Sequence, residues 1–450
     1  MSIIEFPKQK SVFQPIGHYI RLGEGSYRRV ADLAADGTIS SKRFVVDASK
    51  IRHLRGIIQL LQGKLAEIVL DPRTVELSSR QKCGGMAAGA PWSAPDKGTP
   101  LSPDVFQADH PTDIYGAIAR CAVENRVNAV LAPTHFLADP DFADWYSLDL
   151  RGCELLRYAL DREGGKDIAI DYLLAARLVD FNDQKFRSRV MEDLSGLPFE
   201  NLWVRSSMTS PETSPVNSAR LVRTLASWHN IGVPLIMDYM GGLTAEGLLS
   251  MNVVSGVAHG YGEQSSFNTS GWSDPPKKSD DENRQKGRAT RIGVTALGRS
   301  FTKAELEVLL SAYGARTTLL PNDKKILPNG IEDVREDPRR FNAAEAQRRL
   351  AAVAQIPTTK RPNYFWEQRM REVVSTAKKA AKLNPKKELA NELRVDLDKL
   401  RARLAKHKGT SDKLRGAYEE VAMERIEHGS IVRTLAEPRI RADQVETGIQ

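Results

Sequence analysis

The sequence has little cysteine and no long uninterrupted apolar segment. Its three cysteines, Cys83, Cys121 and Cys153, are odd in number and widely spaced, which excludes a disulfide framework and favours reduced thiols in a cytoplasmic protein. They also lack the paired spacing of a zinc site. No run of about 18 uncharged apolar residues exists, so no membrane-spanning helix is predicted. Residues 1–8 show no basic region followed by an apolar stretch, and so predict no secretion signal.

An excess of charge of one sign is confined to the C-terminal part of the chain. The net charge is +8, and residues 361–440 hold 19 lysines and arginines against 12 acids. Basic helices can bind nucleic acid phosphates, because neutralising phosphates releases condensed counterions. The alternative is a solvated helix surface without a partner. We therefore expect residues 362–440 to contact nucleic acid, or to form a homodimer or bind a partner protein, and we expect no membrane partner.

The middle of the chain repeats one pattern, in which a short aliphatic run ends at a polar residue and a helical pattern follows. Such continuous apolar runs are typical of parallel strands that are buried on both faces. The predicted strands end at seven positions: Asp47, Asp71, Thr134-His135, Asp171, Arg205, Asp238 and His259.

The spacing of these runs predicts the fold class. The successive intervals from His135 to Asp171, from Asp171 to Arg205 and from Arg205 to Asp238 are 36, 34 and 33 residues. Each is about the length of a strand, a helix and two loops. The sequence thus predicts a TIM-like (β/α)8 barrel, with an eighth strand at 293–297 or 317–320. A doubly wound open sheet is the alternative, although no strand-to-helix turn carries a dinucleotide-type glycine fingerprint.

The predicted organisation is an N-terminal extension at 1–40, the barrel at 41–330 and a basic helical tail at 331–450. Two loops rich in glycine, proline and serine, 78–104 and 268–290, are expected at the mouth of the barrel. In the tail, leucines recur at spacings of three and four residues, which predicts a coiled-coil-like helix that Gly409-Thr410-Ser411 interrupts. A C-terminal α-helical hairpin is therefore expected.

The carboxyl ends of barrel strands meet at one mouth, where functional side chains lie. The prediction places several ionisable residues there, more than structure alone requires. The candidates for nucleophile or acid/base are Asp71, Asp171 and Asp238, and those for substrate binding are His135, Arg205, Gly241, Gly242, His259 and Glu263; Asp47 and Arg73 lie at the same strand ends.

The segment from Asp238 to Leu243 is the sharpest local motif. Two glycines after an acid allow a ligand to approach the backbone and leave amides of the next helix free to donate. Two carboxylates could act in glycosyl transfer or hydrolysis. A divalent metal on His135, Asp171, Asp238 and His259 is a weaker alternative, because no tight ligand spacing exists. No cofactor is predicted.

At Gly241-Gly242-Leu243 the sequence resembles the tRNA-guanine transglycosylase family. The resemblance covers about residues 230–265 and implies an α/β barrel with an aspartate nucleophile, a second aspartate that recognises a deazapurine, and a Gly-Gly-Leu loop that contacts it. It assigns the nucleophile to no particular aspartate. The family's zinc cysteines are absent from residues 320–330. The whole chain also resembles a group of uncharacterised bacterial barrel proteins with basic helical tails, which implies a fold but no function.

Three hypotheses for function follow. The first is a glycosyl-transfer or hydrolytic enzyme that takes a nucleotide, base or nucleic acid at the barrel mouth, where Arg205 would hold a phosphate or an oxyanion. The second is a non-enzymatic protein that binds nucleic acid or a partner and uses the barrel as a scaffold. The third is a small-molecule hydrolase or lyase whose tail only dimerises.

Overall fold

Eight parallel strands close into a barrel in the computed structural model, which describes residues 12–23, 27–79, 85–96, 98–137, 142–207, 209–261, 264–269, 291–427, 433–442 and 444. Each strand pairs with the next along the chain, and the last pairs with the first. The strands are β1 Gly17–Arg21, β2 Arg43–Asp47, β3 Glu67–Asp71, β4 Ala129–Leu131, β5 Ala169–Arg177, β6 Leu202–Ser207, β7 Leu235–Asp238 and β8 Gly256–His259. The predicted TIM-like barrel is confirmed, and the open-sheet alternative was wrong.

Closure depends on a strand that the sequence analysis missed. β1 lies inside the segment 1–40 that was set apart as an extension, and it pairs with both β2 and β8. At the β1–β8 seam, a Cβ on Gly256 would lie 2.9 Å from the carbonyl oxygen of Gly17, so glycine allows the two backbones to approach. The predicted eighth strands were wrong, because 293–297 belongs to a separate hairpin and 317–320 is mainly helical.

Helices surround the barrel and cover the outward-facing aliphatic side chains of its strands. These residues form one continuous core together with the inner faces of the helices, as the two-sided burial of a parallel sheet requires. The helices in this part of the chain are α1 Tyr27–Ala35, α2 Ile51–Gly63, α3 Thr74–Leu77, α4 Ile114–Glu124, α5 Phe142–Arg162, α6 Leu178–Asn182, α7 Gln184–Leu194, α8 Pro215–Ala226 and α9 Gly242–Ser250.

The C-terminal region adds a two-stranded antiparallel hairpin and a group of helices. Together they bury a second apolar core. The elements are β9 Arg291–Val294, β10 Arg299–Thr302, α10 Lys303–Leu310, α11 Ala315–Leu319, α12 Ile331–Glu336, α13 Pro338–Ala354, α14 Arg361–Tyr364, α15 Met370–Ala380, α16 Lys387–Glu392 and α17 Leu397–Glu427.

The longest helix of this region, α17, packs on the barrel. Its Tyr418 lies against Gly247 of α9, where a Cβ would come within 2.5 Å of the tyrosine hydroxyl. The helix continues through residues 409–411, so the break predicted there was wrong, and the chain instead leaves the helical conformation at Arg394, whose φ is +53°. Among the helices of the described residues, none is both long and apolar enough to cross a membrane.

Side chains fill the barrel interior in three layers. The middle layer is apolar and includes Val45, Val69, Leu173 and Ile236. Charged layers lie on either side of it. We call the layer at the carboxyl ends of the strands the mouth network, and the layer at the amino ends, formed by Arg43, Glu67, Asp171 and Arg439, the floor network. The mouth network is the candidate site.

Candidate functional site

The mouth network consists of three arginines and four acids, all nearly or fully buried. Its arginines are Arg21 from β1, Arg205 from β6 and Arg73 from the turn after β3, and its acids are Asp47, Asp71, Glu76 and Asp238. A buried ion pair is maintained only where its hydrogen bonds are satisfied. The strand ends of β1, β2, β3, β6 and β7 supply those partners, since the inward-facing positions of a barrel converge at its mouth.

Two arginines hold the two central aspartates. Arg21 binds Asp238 through two nitrogens, each at 2.7 Å, and also binds Asp71 at 2.9 Å. Arg205 donates to Asp238 at 2.9 Å and to Asp71 at 2.7 Å. Burial alone would raise the pKa of Asp71, but the guanidiniums of Arg205 and Arg21 hold that pKa well below its usual range. Asp71 is therefore an ionised, fully occupied carboxylate.

The rim of the mouth network is less completely satisfied. Arg73 binds Glu76 at 3.2 Å and donates to the hydroxyl of Tyr239. Gln264 donates to Asp47 at 2.8 Å. One carboxylate oxygen of Glu76 has no hydrogen-bond partner among the described residues, and burial raises the pKa of this glutamate. The rim therefore keeps hydrogen-bonding capacity that the centre of the network lacks.

Three residues beside this network have left-handed backbones although none is glycine. Arg73, Tyr239 and Gln264 have φ values of +61°, +54° and +51°. Such a conformation costs about 1–3 kcal/mol and persists only where its surroundings enforce it. Asp71 accepts from the amide of Arg73, and Asp238 accepts from the amide of Tyr239, both at 2.9 Å. The two central aspartates therefore also hold the turns that follow their own strands.

A cavity of about 690 Å³ opens next to the mouth network, between the loops after β7 and β8 and the C-terminal hairpin. Its wall includes the start of α9 at Gly241 and Gly242, and His259 at the end of β8. In TIM barrels this is the position where phosphate groups commonly bind. Three arginines from the C-terminal region, Arg291, Arg299 and Arg339, also line the cavity.

The Gly-Gly-Leu triplet has a structural reason at each position. A Cβ on Gly241 would lie 3.2 Å from the His259 ring, and Gly242 has a φ of +63° with Pro211 at 2.9 Å. Leu243 fills the space beside Gly298, where a Cβ would come within 2.5 Å of the leucine side chain. The triplet thus fixes the amide-rich start of α9 against the wall of the cavity.

His259 lies beside the cavity together with two other buried rings. It is 5.0 Å from His18 and 5.6 Å from Tyr261, measured between ring centroids. Burial lowers the pKa of His259, so its imidazole is neutral near pH 7. Its Nδ1 lies 3.1 Å from the carbonyl oxygen of Gly260 and donates to it. Tyr261 also lines the cavity. Its hydroxyl is buried and has no hydrogen-bond partner within the described part of the chain.

Two predicted site residues lie elsewhere. Asp171 is not at the end of a strand but near the start of β5, in the floor network, where Arg439 binds both of its oxygens at 2.9 Å. His135 is paired with Asp149 of α5 and stacks on Trp145 at 3.9 Å. Glu263 lies outside the described residues. The four residues suggested as metal ligands are therefore scattered, and no group of metal-ligating side chains occurs among the described residues.

The structure brings Asp47, Asp71, Arg73, Arg205 and Asp238 together and places Gly241, Gly242 and His259 at the adjacent cavity. Arg21, which lies at the centre of the network, was not among the predicted site residues. A signal for it existed, because residues 18–21 are a short run that ends at a charged residue, as in the other strands. The cavity arginines could not be found in this way, since they belong to the C-terminal region.

Comparison of the sequence with models of known protein families and with curated proteins gave no match. The geometry of the mouth is therefore the basis for a proposal of function.

Proposed function

We propose that this chain binds a phosphorylated ligand, a nucleotide or a nucleotide unit of a nucleic acid, in the cavity at the barrel mouth. The observation that carries the proposal is the meeting of three arginines with the glycine-rich start of α9 around one cavity of about 690 Å³. Free amides and the positive end of a helix attract anions, and arginine matches the geometry of phosphate.

The charge of the cavity supports an anionic ligand. Among the described residues, two acids line it, Glu212 and Glu345. Glu345 is already held by Arg348 at 2.6 Å and by Arg349 at 3.2 Å. Glu212 accepts from the amide and the hydroxyl of Ser300 and lies 3.9 Å from the cavity arginine Arg299. Three arginines and two carboxylates give the described lining a net positive charge, and the cavity volume falls within the range of about 300–1,000 Å³ that is typical of small-molecule pockets.

The geometry favours binding over covalent transfer at the aspartates. Asp71 and Asp238 are each held by two arginines, and Asp171 is held by Arg439. A nucleophile must be free to approach its substrate. The nucleophile and acid/base roles of these three aspartates stay predictions, and we propose instead that Asp71 and Asp238 position Arg21, Arg205 and the neighbouring turns.

Titration calorimetry of the full chain with nucleoside monophosphates and the matching nucleosides tests the proposal. We expect the monophosphates to bind at least about tenfold more tightly, since a hydrogen bond to a charged group contributes about 1.5–3 kcal/mol. The double variant Arg299→Gln and Arg339→Gln should remove most of that preference. The control is Arg120→Gln, which removes an exposed arginine of α4 that binds Glu163. Equal affinity for nucleosides and monophosphates would overturn the proposal.

A further inference from the structure

The two halves of α17 carry opposite charge. From Lys399 to Lys413 the helix holds six lysines and arginines and one acid, whereas from Arg415 to Glu427 it holds two arginines and four glutamates. A helix that only covers the barrel needs no such separation, because interleaved charges keep a surface solvated equally well.

The acidic half already has a partner within the protein. Arg223 of α8 binds Glu420 and Glu424, each at 2.5 Å. Arg425, in the same half, donates to the carbonyl oxygens of Met251 and Asn252 at the end of α9. This half is thus attached to the barrel by its own charged side chains.

The basic half presents its lysines to solvent. Leu400 and Leu404 are buried in the C-terminal core and Leu414 is buried against the barrel, whereas Lys399, Lys406 and Lys413 are exposed. Their seven-residue spacing puts them in one row at intervals of about 10 Å. Among the described residues, Lys406 and Lys413 form no ion pair, whereas Lys399 binds only the nearby Asp396.

α15 extends this surface. Its Lys378 and Lys379 are exposed, and Lys378 lies 3.3 Å from Asp412 of α17, which places the ends of the two charged segments side by side. We call the exposed lysines Lys378, Lys379, Lys399, Lys406 and Lys413 the basic face.

The basic half of α17 is joined to the wall of the mouth cavity. The His407 imidazole lies 2.8 Å, through Nε2, from the carbonyl oxygen of Leu297. The next residues, Gly298 and Arg299, line the cavity. A ligand that extends beyond the cavity along this wall would meet the helix that carries the lysines.

We propose that the basic face docks the phosphodiester backbone of a single-stranded nucleic acid, one nucleotide of which occupies the mouth cavity. This inference rests on the proposed function of the cavity. Lysines spaced along an exposed helix match a repeating anion better than a single one, and each neutralised phosphate releases counterions. The strand is single because a nucleotide paired in a duplex reaches such a cavity only after it leaves the stack.

Fluorescence anisotropy with labelled 15-nucleotide single strands of DNA and of RNA tests the proposal on the full chain. The variant carries Lys399→Gln, Lys406→Gln and Lys413→Gln. Its matched control carries Lys42→Gln, Lys166→Gln and Lys185→Gln, which remove the same charge from other exposed positions. We expect the first variant alone to weaken strand binding at least about tenfold and to reduce the slope of log K against log salt by about 2.

The two proposals fail in different ways. Unchanged binding of monophosphates to the first variant, together with the loss of strand binding, supports the basic face. Equal weakening of strand binding by both triple variants overturns the basic-face proposal and leaves the cavity proposal intact. A duplex of the same length that binds as tightly as the single strand has the same consequence. Absence of monophosphate binding to the unaltered chain overturns the cavity proposal, and with it this one.

Discussion

The two ends of the barrel bury the same kinds of side chain in different ways. At the mouth, Asp71 and Asp238 share two arginines that both come from barrel strands. At the floor, Glu67 and Asp171 share Arg439, which enters from the C-terminal segment and binds them at 2.5 and 2.9 Å. The mouth is stabilised from within the barrel and adjoins a cavity, whereas the floor is closed by a segment from outside it. An ionic layer in a barrel can therefore be completed either by the barrel's own strands or by a segment from outside it.

Replacing Arg439 should have the largest effect. In Arg439→Met, Asp171 loses its only arginine contact among the described residues, and Glu67 keeps only Arg43, at 3.0 Å. An uncompensated buried charge costs about 3–5 kcal/mol. We expect a loss of that size in the free energy of unfolding, measured with urea. The matched control is Glu200→Gln, since Glu200 also binds Arg439 but is 59% exposed, and its effect should stay within about 0.5 kcal/mol. Equal effects of the two changes would show that the floor is not held by this arginine.

Replacing Arg205 should have a smaller effect, and this sharpens the contrast. In Arg205→Met, Asp71 and Asp238 each keep Arg21, so we expect a loss of about 2 kcal/mol, below the cost of a wholly unpaired buried charge. The same urea titration measures it. If Arg205→Met destabilised the protein as much as Arg439→Met, the redundancy that we assign to the mouth would be absent.

The smallest expected effect is on the pH dependence of the free energy of unfolding, to which the two ends contribute with opposite signs. At the mouth, the pKa of Asp71 is lowered by its arginines against the effect of burial, so its stabilising contribution is present above the unfolded value of about 3.9 and is lost as pH falls. At the floor, burial raises the pKa of Glu67, so its contribution is present below about pH 4.3 and is lost as pH rises.

These signs can be read from two variants. As pH falls from 7 to 3, the free energy of unfolding of the unaltered chain should decline relative to Asp71→Asn and rise relative to Glu67→Gln. Urea titrations at several pH values provide the measurement. Slopes of the same sign for both variants would contradict the distinction between the two ends.

Much of the barrel could be predicted from the sequence because most of its strands are continuous apolar runs. β1 was missed because its inward-facing residues are not aliphatic. Tyr19 makes an aromatic contact, and Arg21 belongs to an ionic layer. The sequence of β1 is therefore less hydrophobic than is usual for a strand that is fully buried. β5 is also longer than predicted, and its predicted end at Asp171 led to the wrong placement of that residue at the mouth.

An acid beside a short aliphatic run does not reveal at which end of the strand it stands. Asp71 and Asp238 end their strands, but Asp171 is followed by buried residues as far as Ala176, so the same local pattern placed it at the wrong end of the barrel. His135 is paired with Asp149, and the floor carboxylates are paired with Arg439. Such pairs depend on tertiary contacts, which local patterning does not encode.

The source of Arg439 also determines when the barrel can be completed in the cell. Arg439 follows Glu67 by 372 residues, and a ribosome adds about 5–20 residues per second. The carboxylates of the floor thus emerge tens of seconds before Arg439, the cation that they share. In that interval the nascent barrel either keeps these acids hydrated or protonates them, and it reaches its final packing only after Arg439 has been synthesised.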